Sequence, residues 1–600
     1  MHENKDGAKS QVNTSTIYFQ VYFHIRVHGP YQDEKEEEPA EEELRWLQEL
    51  SFSLLFANEC DRYWKAINER ILLISLLITS ASALSLAFSV TVGPESMLSR
   101  LSWSPWLALM TTVVGLEADP GTRTHGDAGI DLGWYPPTNT SINNLTTALH
   151  GAGVYGFIFN TSHTPASRYG TYNWCNMPHV RRTEYVRAAP GYELKYVEVI
   201  QRHHKRTPYA SNAFPVEPYH WNCDDQGLYY YGAPFGGDHR RPAAGFWKGL
   251  ISPANPFLPS GWIGTCQFPQ ITAPGLDDAY VHGQDLYGVY HDLLGFLPAR
   301  THDWRSKVVY RVTQNVITSQ VAGMLISGTW GTTDSIPLLI ESAGIDSLEP
   351  QYTCSVGSNL FNAIKSSADP SWKAHLDGAA DVYRVLDDIS GVPPTDAGFH
   401  ASFDHYFDNL SARQCHAKPL PCKLRSATAT STSSPCVGQT LADTVYRLGQ
   451  WEYSHIYRGA PQSLGASAAS YGVWIAELAA HLRAVVGGER APLYFHNVAH
   501  DGSVSRLLSI LQIDIMVWPG MGSEVVFELY KRSRPATHGR PSRSGHYVRV
   551  LFGGRVLRSS NPSLGTMDML PVESLLAYFD GLVGRDAGLV VGKCNGTVKT

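Results

Sequence analysis

The chain has 600 residues, 43% of them hydrophobic and 11% aromatic, so wholesale disorder is excluded. At about 150 residues per domain, this length suits three to four domains, or fewer large ones. The net charge of −7 comes from one acidic run at positions 33–44, which carries eight acids and one lysine. The rest of the chain is nearly neutral, and no basic patch indicates a nucleic-acid partner.

Two apolar stretches near the N-terminus bear on localisation. Positions 71–92 carry no charge and are long enough to span a membrane. A second stretch begins at Met97 with one basic residue, an apolar run and small residues up to Ala118, which is the layout of a secretory signal peptide. We expect Met97 to be the natural start, 97–118 to be the signal peptide and 1–96 to be a non-native or disordered extension. The alternative is a type II membrane protein anchored at 71–92, with the remainder luminal or extracellular.

The cysteines and glycosylation sequons point to an oxidising compartment under both interpretations. Cys60 stands far from the other eight cysteines, which suffice for four disulfides whose pairing the sequence leaves open. The chain has no CxxC pair, which argues against a zinc ribbon or a thioredoxin-type site. We therefore expect a secreted or cell-wall protein. The N-glycosylation sequons are at Asn139, Asn144, Asn160, Asn409 and Asn595.

Periodicity predicts alternating strands and helices after an irregular segment at 119–192. The predicted elements are a strand at 194–203, a helix at 276–297, a strand at 307–313, a helix at 315–328, mostly helical chain at 358–480, a strand–turn–helix unit at 491–513 and a hairpin at 546–558. This alternation predicts an α/β core, 193–340 with 481–600, that has helices on both faces of a sheet. The helical middle, 341–480, is predicted to be an inserted second lobe.

Charged and imidazole side chains follow the predicted strands. Positions 202–208 read RHHKRTP after the first strand, the 307–313 strand carries Arg311, and His500-Asp501 ends the strand that begins at Leu493. Ligands of open α/β sheets bind beyond the carboxyl ends of the strands. We therefore expect one site at this edge, built from Arg202, His203, Arg206, Arg311, His500 and Asp501.

These residue types suit phosphoryl transfer. Arginine forks bind phosphate oxygens and stabilise their charge. An imidazole among arginines stays neutral, and a neutral imidazole is a nucleophile. A carboxylic acid protonates the leaving alkoxide. The set therefore indicates a phosphohistidine mechanism without a metal or other cofactor. His496 and His500 are i, i+4, but they lie on a predicted strand with no HExxH motif, which argues against a metal site.

RHHKRTP resembles the RHGxRxP signature of the histidine acid phosphatases, the second branch of the histidine phosphatase superfamily. YRVTQNVITSQ and AHDGS follow in the order that this family shows, and HYVRVLFGGRVL resembles its C-terminal hairpin. The resemblance covers roughly residues 193–595 and extends to secreted acid phosphatases of filamentous fungi. It implies a three-layer αβα core, phosphoglycerate-mutase-like, with an inserted, mainly helical lobe.

The resemblance also implies roles for individual residues. His203 would be the nucleophile and Asp501 the proton donor to the leaving group. The phosphoryl oxygens would be bound by Arg202, Arg206, Arg311 and His500. His204 replaces the glycine of the family signature, so we expect a structural substitution that alters the local turn. Lys205 is expected to be solvated.

The expected function is a secreted, glycosylated acid phosphatase that hydrolyses small phosphate monoesters. The alternative is a phytase or inositol-polyphosphate phosphatase, which would line its pocket with several basic residues, and Lys205 is the only candidate for that role. The second alternative is a phosphomutase or a non-catalytic binding protein on the same fold. Retention of His203, Arg206 and Asp501 argues against a binding protein. The sequence leaves the oligomeric state open.

Overall fold

The computed structural model describes residues 129–154, 173–216, 219–223, 229–232, 243–246, 248–258, 262–332, 334, 336–424, 434–533 and 542–600. All of them belong to one compact unit, Arg123–Thr600. The expected extension 1–96, the apolar stretch 71–92, the expected signal peptide 97–118 and the sequon at Asn160 lie outside these residues. Among the helices of the described part, none combines the length and the apolar character that a membrane span requires.

A mixed sheet of eight strands forms the centre of the fold. Its order is β10-β8-β7-β1-β6-β4-β5, and β9 pairs with β8. β1, β6, β4 and β5 are parallel, whereas β7, β8, β9 and β10 continue the sheet by antiparallel pairing. β2 and β3 form a separate antiparallel pair. The strands are β1 (Tyr192–Arg202), β2 (Tyr229–Gly232), β3 (Ala243–Phe246), β4 (Val308–Val312), β5 (Leu338–Leu339), β6 (Tyr494–Ala499), β7 (Glu524–Arg532), β8 (His546–Phe552), β9 (Arg555–Val556) and β10 (Leu570–Pro571).

The α-helices of the described residues fall into a group that packs on the sheet and a group that packs beside it. A π-helical stretch, Gly288–Leu293, continues α2, and another, His455–Gly459, continues α8. The helices are α1 (Leu145–His150), α2 (Ala273–Tyr287), α3 (Val316–Trp330), α4 (Ser355–Ile364), α5 (Pro370–Gly378), α6 (Ala380–Ser390), α7 (Asp404–Cys415), α8 (Gln439–Ser454), α9 (Ser463–Gly487), α10 (Asp501–Ile510), α11 (Val572–Val583) and α12 (Val590–Asn595).

The sheet is covered on both faces because its central strands are apolar on both. In β1, Val197 and Val199 pack with α2 and α3, whereas Tyr196 and Ile200 pack with α9, α10 and α11. Successive side chains of a strand point to opposite faces, so one apolar run serves two layers of helices. The predicted three-layer αβα core is confirmed.

Helices α4 to α8 form the predicted helical lobe around a core of their own. Aromatic residues dominate this core, among them Trp372, Phe403, Tyr406, Phe407 and Trp451. The boundary at 341–480 stays a prediction, because α9 begins inside that range and packs its residues from Ala468 to Leu482 on the sheet.

Most predicted elements lie within a few residues of their positions in the structure. The strand predicted at 194–203 is β1, and the strand–turn–helix unit at 491–513 is β6 followed by α10. Asn315 is the N-cap of α3, and its side chain accepts a hydrogen bond from the Ile317 amide. Gly331, with φ +62°, caps the other end of the helix. The predicted hairpin turns through Gly553 and Gly554, both at positive φ, as a tight two-residue turn requires.

The eight cysteines outside Cys60 form the four predicted disulfides, and the structure supplies the pairing that the sequence left open. The pairs are Cys175–Cys415, Cys223–Cys266, Cys354–Cys594 and Cys422–Cys436. One sequon is corrected by the fold. Asn409 is buried in α7, where its amide donates to the Asn212 carbonyl at 2.9 Å, so it is closed to a glycan in the folded protein.

Candidate active site

The ends of β1 and β6 bring the two histidine motifs together. The strands are adjacent and parallel, with Arg202 in register with Ala499. The backbone N–H of His203 donates to the Ala499 carbonyl at 3.0 Å. The residues that follow both strands therefore leave the sheet side by side, and the rings of His203 and His500 lie 5.4 Å apart between centroids.

His203 is held as a neutral imidazole. Its side chain is buried, and its Nδ1 donates to the His204 carbonyl at 2.9 Å. The other ring nitrogen, Nε2, therefore carries the lone pair. Burial, together with the charges of Arg202 and Arg206, lowers the pKa of His203 well below its ordinary value. The ring is thus available as a nucleophile at acidic pH.

Asp501 is the first residue of α10, where the helix dipole favours a negative charge. Its Oδ2 accepts from Trp518 Nε1 at 2.8 Å and from the Tyr453 hydroxyl at 3.3 Å. Arg202 Nη2 lies 3.1 Å from the same oxygen. Burial alone would raise the pKa of Asp501, but Arg202 and the Trp518 hydrogen bond outweigh burial and lower it. Asp501 is therefore a carboxylate in the free protein.

Arg202 is fixed from two sides. Its Nη1 donates to the Pro519 carbonyl at 2.6 Å, and its guanidinium lies over the Trp174 ring at 4.7 Å from the centroid. Because the side chain is fully buried and paired with Asp501, it has one orientation, beside His203.

Arg206 depends on a residue of the helical lobe. Its Nη1 lies 3.0 Å and 3.2 Å from the two carboxylate oxygens of Asp408 on α7. Asp408 also accepts from the Tyr209 backbone N–H at 3.2 Å and from Asn212 Nδ2 at 2.8 Å. Burial would lower the pKa of Arg206, but Asp408 outweighs it and the pKa is raised. Asp408 thus orients Arg206 across the contact between lobe and sheet.

His500 lies beside His203 and next to Thr313, the residue that follows strand β4. Its Nε2 is 2.9 Å from Thr313 Oγ1 and 3.5 Å from Glu349 Oε2. Burial alone would raise the pKa of Glu349. The hydrogen bond to His500 and the charge of that ring outweigh burial, so the pKa of Glu349 is lowered. A second carboxylate therefore stands at the site.

His203, Arg206, His500 and Asp501 line one pocket of about 260 Å³, whereas the buried Arg202 is not part of its lining. The two arginines of the lining are Arg206 and Arg506. Within the described ranges, no group of three or more His, Cys, Asp or Glu side chains is arranged to hold a metal ion. The lining is His203, Arg206, Tyr209, Glu349, Pro350, His500, Asp501, Gly502, Ser503 and Arg506.

The structure does not bring Arg311 to this pocket. Its Nη1 donates to Glu477 on α9 at 2.8 Å, and its Nη2 pairs with Glu341 and donates to Ser347 Oγ at 2.9 Å. The neighbours Tyr310 and Val312 pack on the α2–α3 side of the sheet, so Arg311 points to the opposite face. Arg311 is therefore left out of the site that we propose below.

His204 is accommodated by a glycine far along the chain. A Cβ on Gly522 would lie 2.4 Å from His204 Cε1, so only a residue without a side chain leaves room for the ring. His204 is buried, and its Nε2 lies 3.2 Å from His282 Nδ1 on α2. His282 Nε2 in turn lies 3.0 Å from Glu524. The substitution of the signature glycine is thus structural and packs behind His203.

Lys205 does not face solvent, which corrects the expectation from sequence. It is fully buried and forms an ion pair with Asp278 on α2. Burial raises the pKa of Asp278 to about 7, against the opposing effect of Lys205. Because this pair points into the core, Lys205 cannot contact a polyanionic substrate.

The comparisons with known proteins give distant matches. No family model matches the chain. The chain is 23% identical over 351 residues to Counting factor 60 of Dictyostelium discoideum, which covers 57% of this chain and 77% of that protein.

Solved structures match at TM-scores below 0.5. The apo form of Hafnia alvei phytase is 11% identical with a TM-score of 0.43, over 67% of this chain and 99% of that one. The phytase from D. castellii is 13% identical with a TM-score of 0.38, over 70% and 86%. A Bifidobacterium longum multiple inositol polyphosphate phosphatase is 12% identical with a TM-score of 0.33, over 64% and 92%. The function proposed below therefore rests on the residues of the site.

Sequence reasoning missed three residues of the site. Asp408 binds Arg206 from a position 202 residues away, and Glu349 sits in a turn with no motif around it. Arg506 could have been found, because α10 follows the His500-Asp501 motif directly and Gly502 and Arg506 are i, i+4 on it.

Proposed function

We propose that the protein is a phosphoric monoester hydrolase that works through a covalent phosphohistidine on His203. The observation that carries this proposal is the state of His203, a buried imidazole whose Nδ1 is committed to a backbone carbonyl and whose pKa is lowered. Its Nε2 is therefore a neutral nucleophile beside two arginines and a carboxylate.

In the first step the His203 Nε2 lone pair attacks phosphorus, and the bond from phosphorus to the ester oxygen breaks. We assign stabilisation of the charge on the phosphoryl oxygens to Arg206, which lines the pocket, and to Arg202, which is paired with Asp501. Asp501 takes up the proton that a monoanionic substrate brings and passes it to the leaving oxygen, which departs as the alcohol.

In the second step a water attacks phosphohistidine, and the bond from phosphorus to Nε2 breaks. Asp501, now a carboxylate, accepts the proton of that water and passes it to inorganic phosphate, which is released as the monoanion and leaves Asp501 a carboxylate again. Since the pKa of Asp501 is lowered in the free protein, the proton for the first step comes with a monoanionic substrate. This requirement supports operation at acidic pH, where the monoanion predominates.

Small phosphate monoesters are the substrate class that the pocket supports best. The pocket measures about 260 Å³ and has Glu349 in its wall. Lys205, the only candidate from sequence for an additional phosphate contact of a phytase, is buried against Asp278. Phytase or inositol-polyphosphate phosphatase activity is therefore the alternative, and relative rates on the two substrate classes decide between them.

An extracellular location is supported by the disulfides. The described residues form four disulfides, and disulfides persist in secreted proteins and are rare in the cytosol. We propose that the protein is secreted or held at the cell wall. Its recovery from culture medium with all eight cysteines oxidised is the expected result, and a reduced protein confined to the cytosol would contradict it.

The test is hydrolysis of p-nitrophenyl phosphate at acidic pH in the presence of EDTA. Wild type is compared with His203→Ala and with a control, His150→Ala, whose side chain is exposed at the end of α1. Acid-labile phosphate on the protein is measured in parallel after rapid quenching. We expect wild type and the control to remain active and to carry the phosphate, and His203→Ala to lose both.

Each other outcome points elsewhere. Wild-type activity that EDTA abolishes would indicate a metal-dependent reaction and overturn the proposal. A folded wild-type protein without activity would favour the non-catalytic binding protein. Full activity in His203→Ala would remove the nucleophile that we assign.

A further inference from the structure

Arg506 stands at the wall of the catalytic pocket and of a neighbouring cavity. It lies on α10, one turn after Gly502, and lines the 260 Å³ pocket. It also lines a second cavity of about 290 Å³, together with Lys365, Tyr453 and the carboxylates of Asp404 and Glu452. Arg506 is thus common to both cavities, and Tyr453 of the second donates to Asp501 of the first.

The guanidinium of Arg506 is held in place by neutral groups. Its Nε donates to Ser470 Oγ at 3.2 Å, and its Nη1 donates to the Gly502 carbonyl at 2.9 Å. It also lies 5.1 Å from the Phe361 ring centroid and 5.7 Å from that of Tyr457. These contacts fix its position while leaving its charge uncompensated.

Four other cations near the site each have a carboxylate partner. Arg202 is paired with Asp501 at 3.1 Å and Arg206 with Asp408 at 3.0 Å. The same is true of Lys205 with Asp278 and of Arg311 with Glu477. These four pairs are already neutralised inside the protein.

Arg506 differs from these four residues. It forms no ion pair with a carboxylate of the described residues, and it is half-buried beside a pocket. A half-buried guanidinium is stabilised by an anion, and its planar fork suits phosphate oxygens. The site therefore has one arginine whose missing counter-ion matches the charge of a phosphate ester.

We propose that Arg506 is a further anion-binding residue of this site and that it binds a phosphate group of the substrate. The proposal rests on the function proposed above for the assignment of the pocket. Two phosphates could meet Arg506: the group transferred to His203, or a second phosphate on the alcohol part, placed in the cavity that Lys365 also lines. If Arg506 binds the group transferred to His203, it takes the phosphate-binding role that the sequence predicted for Arg311.

The experiment compares Arg506→Gln with wild type and with Arg300→Gln. Arg300 is a matched control, because it too donates two hydrogen bonds to neutral groups, here two carbonyls at 2.9 and 3.1 Å, and lies over an aromatic ring, outside the pocket. Binding of inorganic phosphate is measured by calorimetry, and KM is measured for p-nitrophenyl phosphate and for myo-inositol hexakisphosphate. Loss of one arginine–phosphate contact should weaken binding by about ten- to a hundredfold.

The two sources of phosphate give different results, and either one supports the proposal. If Arg506 binds the transferred group, Arg506→Gln weakens inorganic phosphate and both substrates alike. If it binds a second phosphate, only the hexakisphosphate is affected. Affinities for all three ligands equal to those of wild type and Arg300→Gln would overturn the proposal, as would a wild-type protein that binds none of them.

A second measurement removes the dependence on folding of the variant. Wild-type protein is treated with phenylglyoxal alone, with inorganic phosphate and with myo-inositol hexakisphosphate, and modified arginines are identified by mass spectrometry. We expect at least one of these two ligands to protect Arg506 and neither to protect Arg300, and equal modification of Arg506 under all three conditions would overturn the proposal. Neither phosphate binding nor protection needs turnover. A protein that lacks hydrolase activity but shows Arg506-dependent binding therefore refutes the proposed function alone.

Discussion

Gly522→Ala tests the fit behind the nucleophile. Gly522 has φ +70°, and its backbone N–H donates to the His203 carbonyl at 3.1 Å. A Cβ at this position would lie 2.4 Å from Cε1 and 2.7 Å from Nδ1 of His204, well inside van der Waals contact. His204 is buried against His282, so its ring cannot swing to solvent.

The magnitude follows from two costs. A left-handed backbone costs a non-glycine residue about 1–2 kcal/mol. Forcing a methyl group into a packed interior costs about 1–3 kcal/mol more. We therefore expect Gly522→Ala to lower the free energy of unfolding by about 2–5 kcal/mol, measured by urea denaturation. Activity should fall as well, because the His204 carbonyl that accepts from His203 moves with the ring.

The double variant distinguishes the steric cause from a purely backbone cause. His204→Gly removes the ring that the new Cβ would strike, at the expense of the hydrogen bond to His282. Combined with Gly522→Ala, it should recover the overpacking part of the loss, about 1–3 kcal/mol in a double-mutant cycle. Additive effects, or a Gly522→Ala protein as stable as wild type, would refute this reasoning.

Two further predictions concern Arg206 and the pH profile. Asp408→Asn leaves Arg206 buried without its carboxylate, so it should lower the free energy of unfolding by about 3–5 kcal/mol and raise KM. The control Asp388→Asn removes an exposed ion pair and should cost at most about 1 kcal/mol. A KM and a urea midpoint equal to those of wild type in Asp408→Asn would contradict this. Because burial and the neighbouring arginines lower the pKa of His203, kcat/KM should not fall as the pH is lowered from about 6.5 to about 5. kcat/KM should fall as the pH rises above about 6, because the substrate monoanion then loses the proton that the first step needs. The substrate must bring this proton because the pKa of Asp501 is lowered, which leaves Asp501 a carboxylate in the free protein. A protonation of the free enzyme with a midpoint near 6.5 that abolishes activity would show that His203 has an ordinary pKa.

The sequence predicted the parts of the site that follow from strand ends. β1 and β6 were identified by apolar periodicity, and parallel neighbours deliver their following residues to one edge. His203 and His500 therefore meet as expected. The same reasoning placed Arg311 at that edge, but Arg311 lies inside β4 rather than beyond its end. Its direction depends on which sheet face α9 covers, and α9 presents Glu477 there. Periodicity shows the alternation of a strand and not which face meets which helix.

Contacts between distant segments were beyond prediction from sequence. Asp408 belongs to the helical lobe, and no local pattern distinguishes it from the other acids of that region. His204 is identified from sequence as a replacement of the signature glycine, but nothing in the sequence around Gly522 links that glycine to His204. Both pairings arise only when the lobe and the second half of the sheet have packed.

The geometry of the phosphate site therefore depends on how the lobe is attached to the sheet. Arg202 lies over Trp174, and Arg206 is held by Asp408 of α7. The residue after Trp174 is Cys175, and α7 ends at Cys415, which forms a disulfide with it. One covalent bond thus joins the segment that supports the first arginine to the helix that orients the second. In the proposed reaction the two guanidinium groups face one phosphoryl group, so binding depends on their relative position. The disulfide joins residues 240 positions apart and holds the two supporting segments in that relative position.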